Sequence, residues 1–226
     1  MYTYCMENYT LQNEADLEKE SVKQKIKSIL DFPLFNIRWR NNKDPRHLKE
    51  IELTGTKPGD ISKNSFAQLI LVILGEQFVY DAQYSFDSED KKKEFIDLVE
   101  NTGIQIEIEK EEIINEKLNV NFTFATSKEN IQRIKNAREL ITTDRKAYDI
   151  EYGKLMGFPQ TAIDEYVENK ISNKKPISQN DMTDERFKTK GLFAPFKFSE
   201  KYIDEERALL VKRNELLKEY APSLFR

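Results

Sequence analysis

Hydrophobic and polar positions change period several times along the chain, and each change marks an element. From Glu14 to Leu30, Leu17, Val22, Ile26, Ile29 and Leu30 recur near helical spacing, so an N-terminal helix is expected there, with residues 1–14 frayed ahead of it. The period then falls to two. Phe35, Ile37 and Trp39 alternate with Asn36, Arg38 and Arg40, and a second alternating stretch, LKEIELT (48–54), follows the turn residues NNKDPRH. The two read as a hairpin in which Glu50 and Glu52 face Arg40 and Arg38, so cross-strand ion pairing is enough to explain its charged side. Phe66, Leu69, Ile70, Ile73 and Leu74 return to spacings of three and four, a core helix that Ser62 can cap. FVYDAQYSF (78–86) alternates again, and a charged helix at roughly 89–101 stops at Gly103. IQIEIE (104–109) and LNVNFTF (118–124) are two further strands, and the segment between them, KEEIINEK, is too long for a tight turn.

Beyond the last strand the pattern is helical. Thr126 and Glu129 have the spacing of a capping box for a long helix from about 127. A second helix starts near Pro159, and Ile203, Arg207, Leu210 and Leu217 outline an amphipathic one across 199–220. This order predicts an α+β fold: a mixed five-stranded sheet with flanking helices and a helical C-terminal part. The strand, helix, strand passage across 78–109 would be a right-handed parallel crossover. Three regions are expected: a tail and helix at 1–30, a sheet domain at 31–126, and a helical part at 127–226 packed on or beside the sheet.

Composition narrows the function classes. The net charge is -4 with both signs interspersed, without the basic balance of a phosphate-neutralising protein, so nucleic acid is not an expected partner. The arginines of the first hairpin also lie opposite Trp39. The longest apolar run, FAQLILVILG (66–75), falls short of the about 20 residues that cross a bilayer. The polar N-terminal stretch reads as neither a signal nor a transit peptide. One cysteine excludes an internal disulfide, and a soluble cytoplasmic protein is expected. Cys5 and His47 are too few for the usual zinc sites; no cofactor is expected, although Mg or Mn held by carboxylates stays open. His47 lies in a turn with no G-x-S-x-G elbow in the chain, which argues against a hydrolase triad.

Two places can be read as ligand sites. In TGTKPGD (54–60), Gly55, Lys57 and Gly59 precede a helix and form a candidate anion loop, although Pro58-Gly59 also has the signature of a type II turn. The long helix carries the better candidate. With Ile141 at the centre of its apolar face, Ile134, Ala137, Tyr148, Tyr152 and Leu155 fall on the same side, and Arg138, Asp144 and Arg145 lie within or beside that stripe. Charges on a core-facing stripe must be paired or serve a ligand. Arg138, Asp144, Arg145, Tyr148 and Tyr152, with Gly157 beyond them, are therefore candidate ligand-binding residues. A structural ion pair, or a helix break at TTD (142–144) that resets the phase, are the alternatives.

YGKLMGFPQTAIDEY (152–166) places Gly157 to end one helix and Pro159 in the first turn of the next. The stretch also resembles a short motif of poorly characterised prokaryotic and archaeal proteins, Y-G-x-L-[LM]-G-[FY]-P followed by paired cysteines and an apolar helix. Tyr152, Gly153, Leu155, Met156, Gly157, Phe158 and Pro159 match it, while Thr161 and Ala162 stand where the cysteines would be. The comparable later segment, FAPFKFSEKYIDEE (193–206), has no cysteine either. The resemblance implies a metal or redox role where the cysteines are present; here it implies the scaffold, or a binding surface beside Tyr152 and Gly157.

The reading favoured is a non-catalytic binding or protein-interaction protein whose C-terminal helix pairs with a partner or a second copy. The alternative is an enzyme acting on a small anionic substrate held by Arg138 and Arg145, with Asp144 or Glu151 as base and Tyr148 or Tyr152 orienting it.

Overall fold

A computed structural model describes residues 2–32, 58–114, 116–171, 199 and 201–225. The hairpin expected at 34–40 and 48–54, and with it Gly55 and Lys57, lies outside the described residues. Helix α1 (Tyr2–Leu30) contains no glycine or proline, and its backbone stays helical to Tyr2 where fraying was expected. Helix α2 (Pro58–Ile73) starts on Pro58, whose fixed φ and missing N–H suit a first turn. Gly59 is thus inside a helix, not in a loop ahead of one.

Strand β1 (Val79–Phe86), helix α3 (Glu89–Glu100), strand β2 (Gln105–Ile114) and strand β3 (Lys117–Ala125) follow. The sheet among the described residues has three strands in the order β1-β3-β2, with both pairings antiparallel. This corrects the mixed five-stranded sheet expected from the pattern. The passage through α3 does return β2 parallel to β1, but β3 inserts between them. KEEIINEK is mostly strand: residues 110–114 extend β2, and Glu116, at a left-handed φ of 61°, lies in the connection to β3. The pattern hid this because the register shifts between Ile108 and Lys110, leaving Glu109 as an extra residue in a bulge. A period-two test fails across such an insertion.

The inner face of the sheet carries Tyr84, Phe86, Phe122 and Phe124, closed by Phe95 of α3 and Leu69 of α2. The rings of Tyr84 and Phe95 meet edge-on, with centroids 5.1 Å apart. The outer face is covered at one end by helix α4 (Lys128–Glu139) and helix α5 (Arg145–Leu155), where Val79, Ala125, Ile131, Ile134 and Leu155 form a second cluster. Helix α6 (Gln160–Ile171) and helix α7 (Ile203–Tyr220) are the last helices among the described residues, followed by a 3-10 turn at Pro222–Phe225. Leu217 of α7 packs with Ile26 of α1 and Ile70 and Leu71 of α2 in a third cluster. The apolar stripe of the C-terminal helix is thereby buried within its own chain and is not a free face for a partner.

Candidate functional site

The expected long helix is two helices. Leu140 caps α4, and Asp144 opens α5 by accepting the Ala147 N–H at 3.0 Å. Ile141, the presumed centre of the apolar face, is 39% exposed in the turn between them. The break at 142–144 resets the phase, and the candidate residues separate into groups.

Arg138, at the end of α4, reaches the outer face of the sheet. Its Nη2 forms an ion pair with Asp81 Oδ1 at 2.8 Å and donates to Thr123 Oγ1 at 3.1 Å, and its Nη1 pairs with Glu109. Asp81 and Thr123 are direct cross-strand partners, and the bulge aims Glu109 at the same point. The Thr123 hydroxyl, with one proton to give, lies 2.8 Å from Asp81 Oδ1 and 2.5 Å from Glu109 Oε1. Two carboxylates thus share one guanidinium and one hydroxyl.

Tyr148 and Tyr152 stack beside this group at a centroid separation of 5.4 Å. Burial raises the pKa of both phenols; the Asp81 carboxylate adds to the shift at each, while Arg145 opposes it at Tyr148. Arg145 lies 4.8 Å over the Tyr148 ring and donates to Asp149 at 3.1 Å. Asp149 also holds Lys170 at 2.6 Å. Glu151 accepts from Arg133 Nε at 2.9 Å and Nη2 at 2.7 Å. The structure therefore brings Arg138, Tyr148 and Tyr152 to one place, sets Arg145 at its rim, and gives Asp144 to helix capping. The residues not anticipated are Asp81, Glu109 and Thr123. They sit at polar positions of strands, and only the cross-strand register shows that they converge.

Gly157 belongs to a second polar junction, at the C-terminal end of α5. With φ at +65° it is the left-handed residue of a Schellman turn: the Phe158 N–H donates to Gly153 O and the Gly157 N–H to Lys154 O, both at 2.9 Å. The next carbonyls are satisfied from afar. Leu155 O accepts from the Phe78 N–H at 2.9 Å, Met156 O from Gln77 Nε2 at 3.1 Å, and Gly157 O from Arg213 Nη2 at 2.7 Å. Arg213 is only 3% exposed, and the same Nη2 donates to Glu76 O. Burial lowers its pKa against the opposing pull of Glu76. Gly153 lets α6 approach, since a Cβ there would lie 2.8 Å from Ile163 Cγ1.

A third group ties α6 to α7. Buried Glu206 accepts from the Thr161 hydroxyl at 2.5 Å and from the Ser199 N–H and hydroxyl, each at 2.7 Å. Glu206 and Arg213 were also missed. The available signal was heptad-like spacing, which puts both on the stripe of Ile203, Leu210 and Leu217.

No family model matches the chain, and no curated protein or solved structure matches it either. Among the described residues, no group of three or more His, Cys, Asp or Glu side chains is placed to hold a metal ion, and no helix is long and apolar enough to cross a membrane.

Proposed function

We propose that this protein acts through protein interaction and not through catalysis. The observation that carries this reading is the mutual pairing at the sheet face, where Arg138 is held between Asp81 and Glu109. An anion could take that guanidinium only by displacing both carboxylates into each other's field. Arg145 and Glu151 are likewise engaged by Asp149 and Arg133. Asp144 accepts a backbone N–H as a cap, and Tyr148 and Tyr152 are protonated at neutral pH like any phenol, with burial raising their pKa further, so they are donors and not bases. These are the features of a charge network that fixes α4 and α5 on the sheet.

Native mass spectrometry of the purified chain, compared with its denatured mass, tests the reading. A mass free of any stoichiometric small-molecule adduct, whether the chain is alone or assembled, is the expected result. A stoichiometric small-molecule adduct that Arg138→Met releases would overturn it in favour of an enzyme for a small anion.

A further inference from the structure

The two edges of the sheet differ. Along β1 most side chains are buried, whereas β2 pairs on one side with β3 and with no second strand among the described residues, and its Ile108 is 40% and Ile113 80% exposed. Two large exposed isoleucines on an edge strand are an association hazard that proteins ordinarily remove with charge or proline. Five residues apart, they would fall on opposite faces of a regular strand. The bulge at Glu109 prevents that. Ile108 pairs with Phe122 and Ile113 with Leu118, so both side chains stand on the inner face. Lys110 pairs with Asn121 and Glu112 with Asn119, so these two stand together on the outer face.

This arrangement is self-complementary about Glu111, and the geometry points to a second copy of the chain as the occupant of the β2 edge. In an antiparallel β2–β2′ pairing centred on Glu111, Ile113 of each copy faces Ile108 of the other. Lys110 of each copy faces Glu112 of the other. The bulged half of each strand faces the regular half of its partner, the same two-against-one fit that β2 makes with β3. The two Glu111 side chains meet at the axis, and each is already neutralised by Lys92 at 2.8 Å. Two three-stranded sheets become one of six strands across a two-fold axis, with a closed, isologous contact. Charges placed only to protect an edge would repel a second copy. Here Lys110 and Glu112, paired at 2.8 Å within one strand, meet Glu112 and Lys110 of the other copy as an alternating square of charges, which fits the occupant to this chain and not to an arbitrary strand. Pairing of one strand and four isoleucines buries little area, so a dimer of micromolar affinity is expected. This names a partner within the interaction reading above. A monomer in the experiment below removes the partner, while only an adduct dependent on Arg138 removes the reading.

Sedimentation velocity of the full chain, run from about 1 to 100 µM, tests the pairing. The wild type is expected to shift from monomer to dimer over that range. Lys110→Glu and Glu112→Lys each set like charges opposite one another, and each alone is expected to stay monomeric. Mixed in equal amounts they restore both charge pairs, and the dimer returns as a heterodimer. All three positions sampled, including Ile113→Lys as a further monomeric variant, are on the surface, and thermal melts confirm that the variants fold. A wild type that remains monomeric throughout overturns the inference. So does a dimer that survives every variant, or a mixture that associates no better than its components.

Discussion

A Cβ at position 157 would lie 2.6 Å from Glu76 O and 2.7 Å from Arg213 Nη2, on a backbone whose φ of +65° already disfavours a side chain. Two of those costs are separable, because Gly103 has φ at +90° and nothing within 4 Å of its virtual Cβ. Gly103→Ala is expected to lose about 1 kcal/mol from backbone strain alone. Gly157→Ala should lose about 3 kcal/mol, the strain plus the clash with a carbonyl. Urea unfolding of the two variants checks the difference, and equal losses would show that the Glu76–Gly157–Arg213 junction has room to relax. Gly157 was legible in the sequence as a helix terminator, because glycine after an apolar-periodic run has few other uses. Arg213 was not, because an arginine in an amphipathic helix is indistinguishable from a surface residue until its carbonyl partners, 137 and 56 residues away, are known.

At the scale of elements, the break between α4 and α5 is written in three polar residues, Thr142, Thr143 and Asp144, and one of them does the capping. Asp144→Ala is expected to cost about 1 kcal/mol, measurable as a lowered urea midpoint, and Asp144→Asn to recover most of it. Loss of stability in Asp144→Asn equal to that in Asp144→Ala would instead assign Asp144 to its charge. The strands at 78–86 and 118–124 were legible because their faces alternate without interruption between an aromatic core and polar residues. The second half of β2 was not, because the bulge at Glu109 inserts a residue and KEEII then reads as polar followed by apolar. That same insertion aims Glu109 at Arg138, so the feature that hid the strand also builds the charge network.

For the molecule as a whole, the α+β class was legible from the switching periods, while the sheet order was not, since nothing in the local pattern says that β3 enters between β1 and β2. The core makes the fold sensitive to alkali. Burial raises the pKa of Tyr80, Tyr84 and Tyr152, so the unfolded chain gives up these protons before the folded one does. Their contribution is intact below the ordinary phenol value of about 10 and is lost progressively as pH rises above it. Absorbance at 295 nm should therefore show a fraction of the tyrosines ionising only together with loss of the near-ultraviolet circular dichroism. Ionisation of all ten below that transition would contradict their burial. Likewise Leu217→Ala, which opens the contact of α7 with α1 and α2, should cost about 3 kcal/mol, and a loss below about 1 kcal/mol would show that α7 packs loosely.

The claim that the polar group on the sheet face is structural meets its most direct test in the equilibrium urea unfolding of Arg138→Met at neutral pH. A residue kept for ligand binding is commonly neutral or stabilising to remove, whereas one that neutralises two converging carboxylates leaves them stranded. The expected result is a loss of about 2 kcal/mol, partly recovered when Glu109→Gln is added. A variant as stable as the wild type, or more so, would contradict the structural role and return Arg138 to the candidates for an anion site.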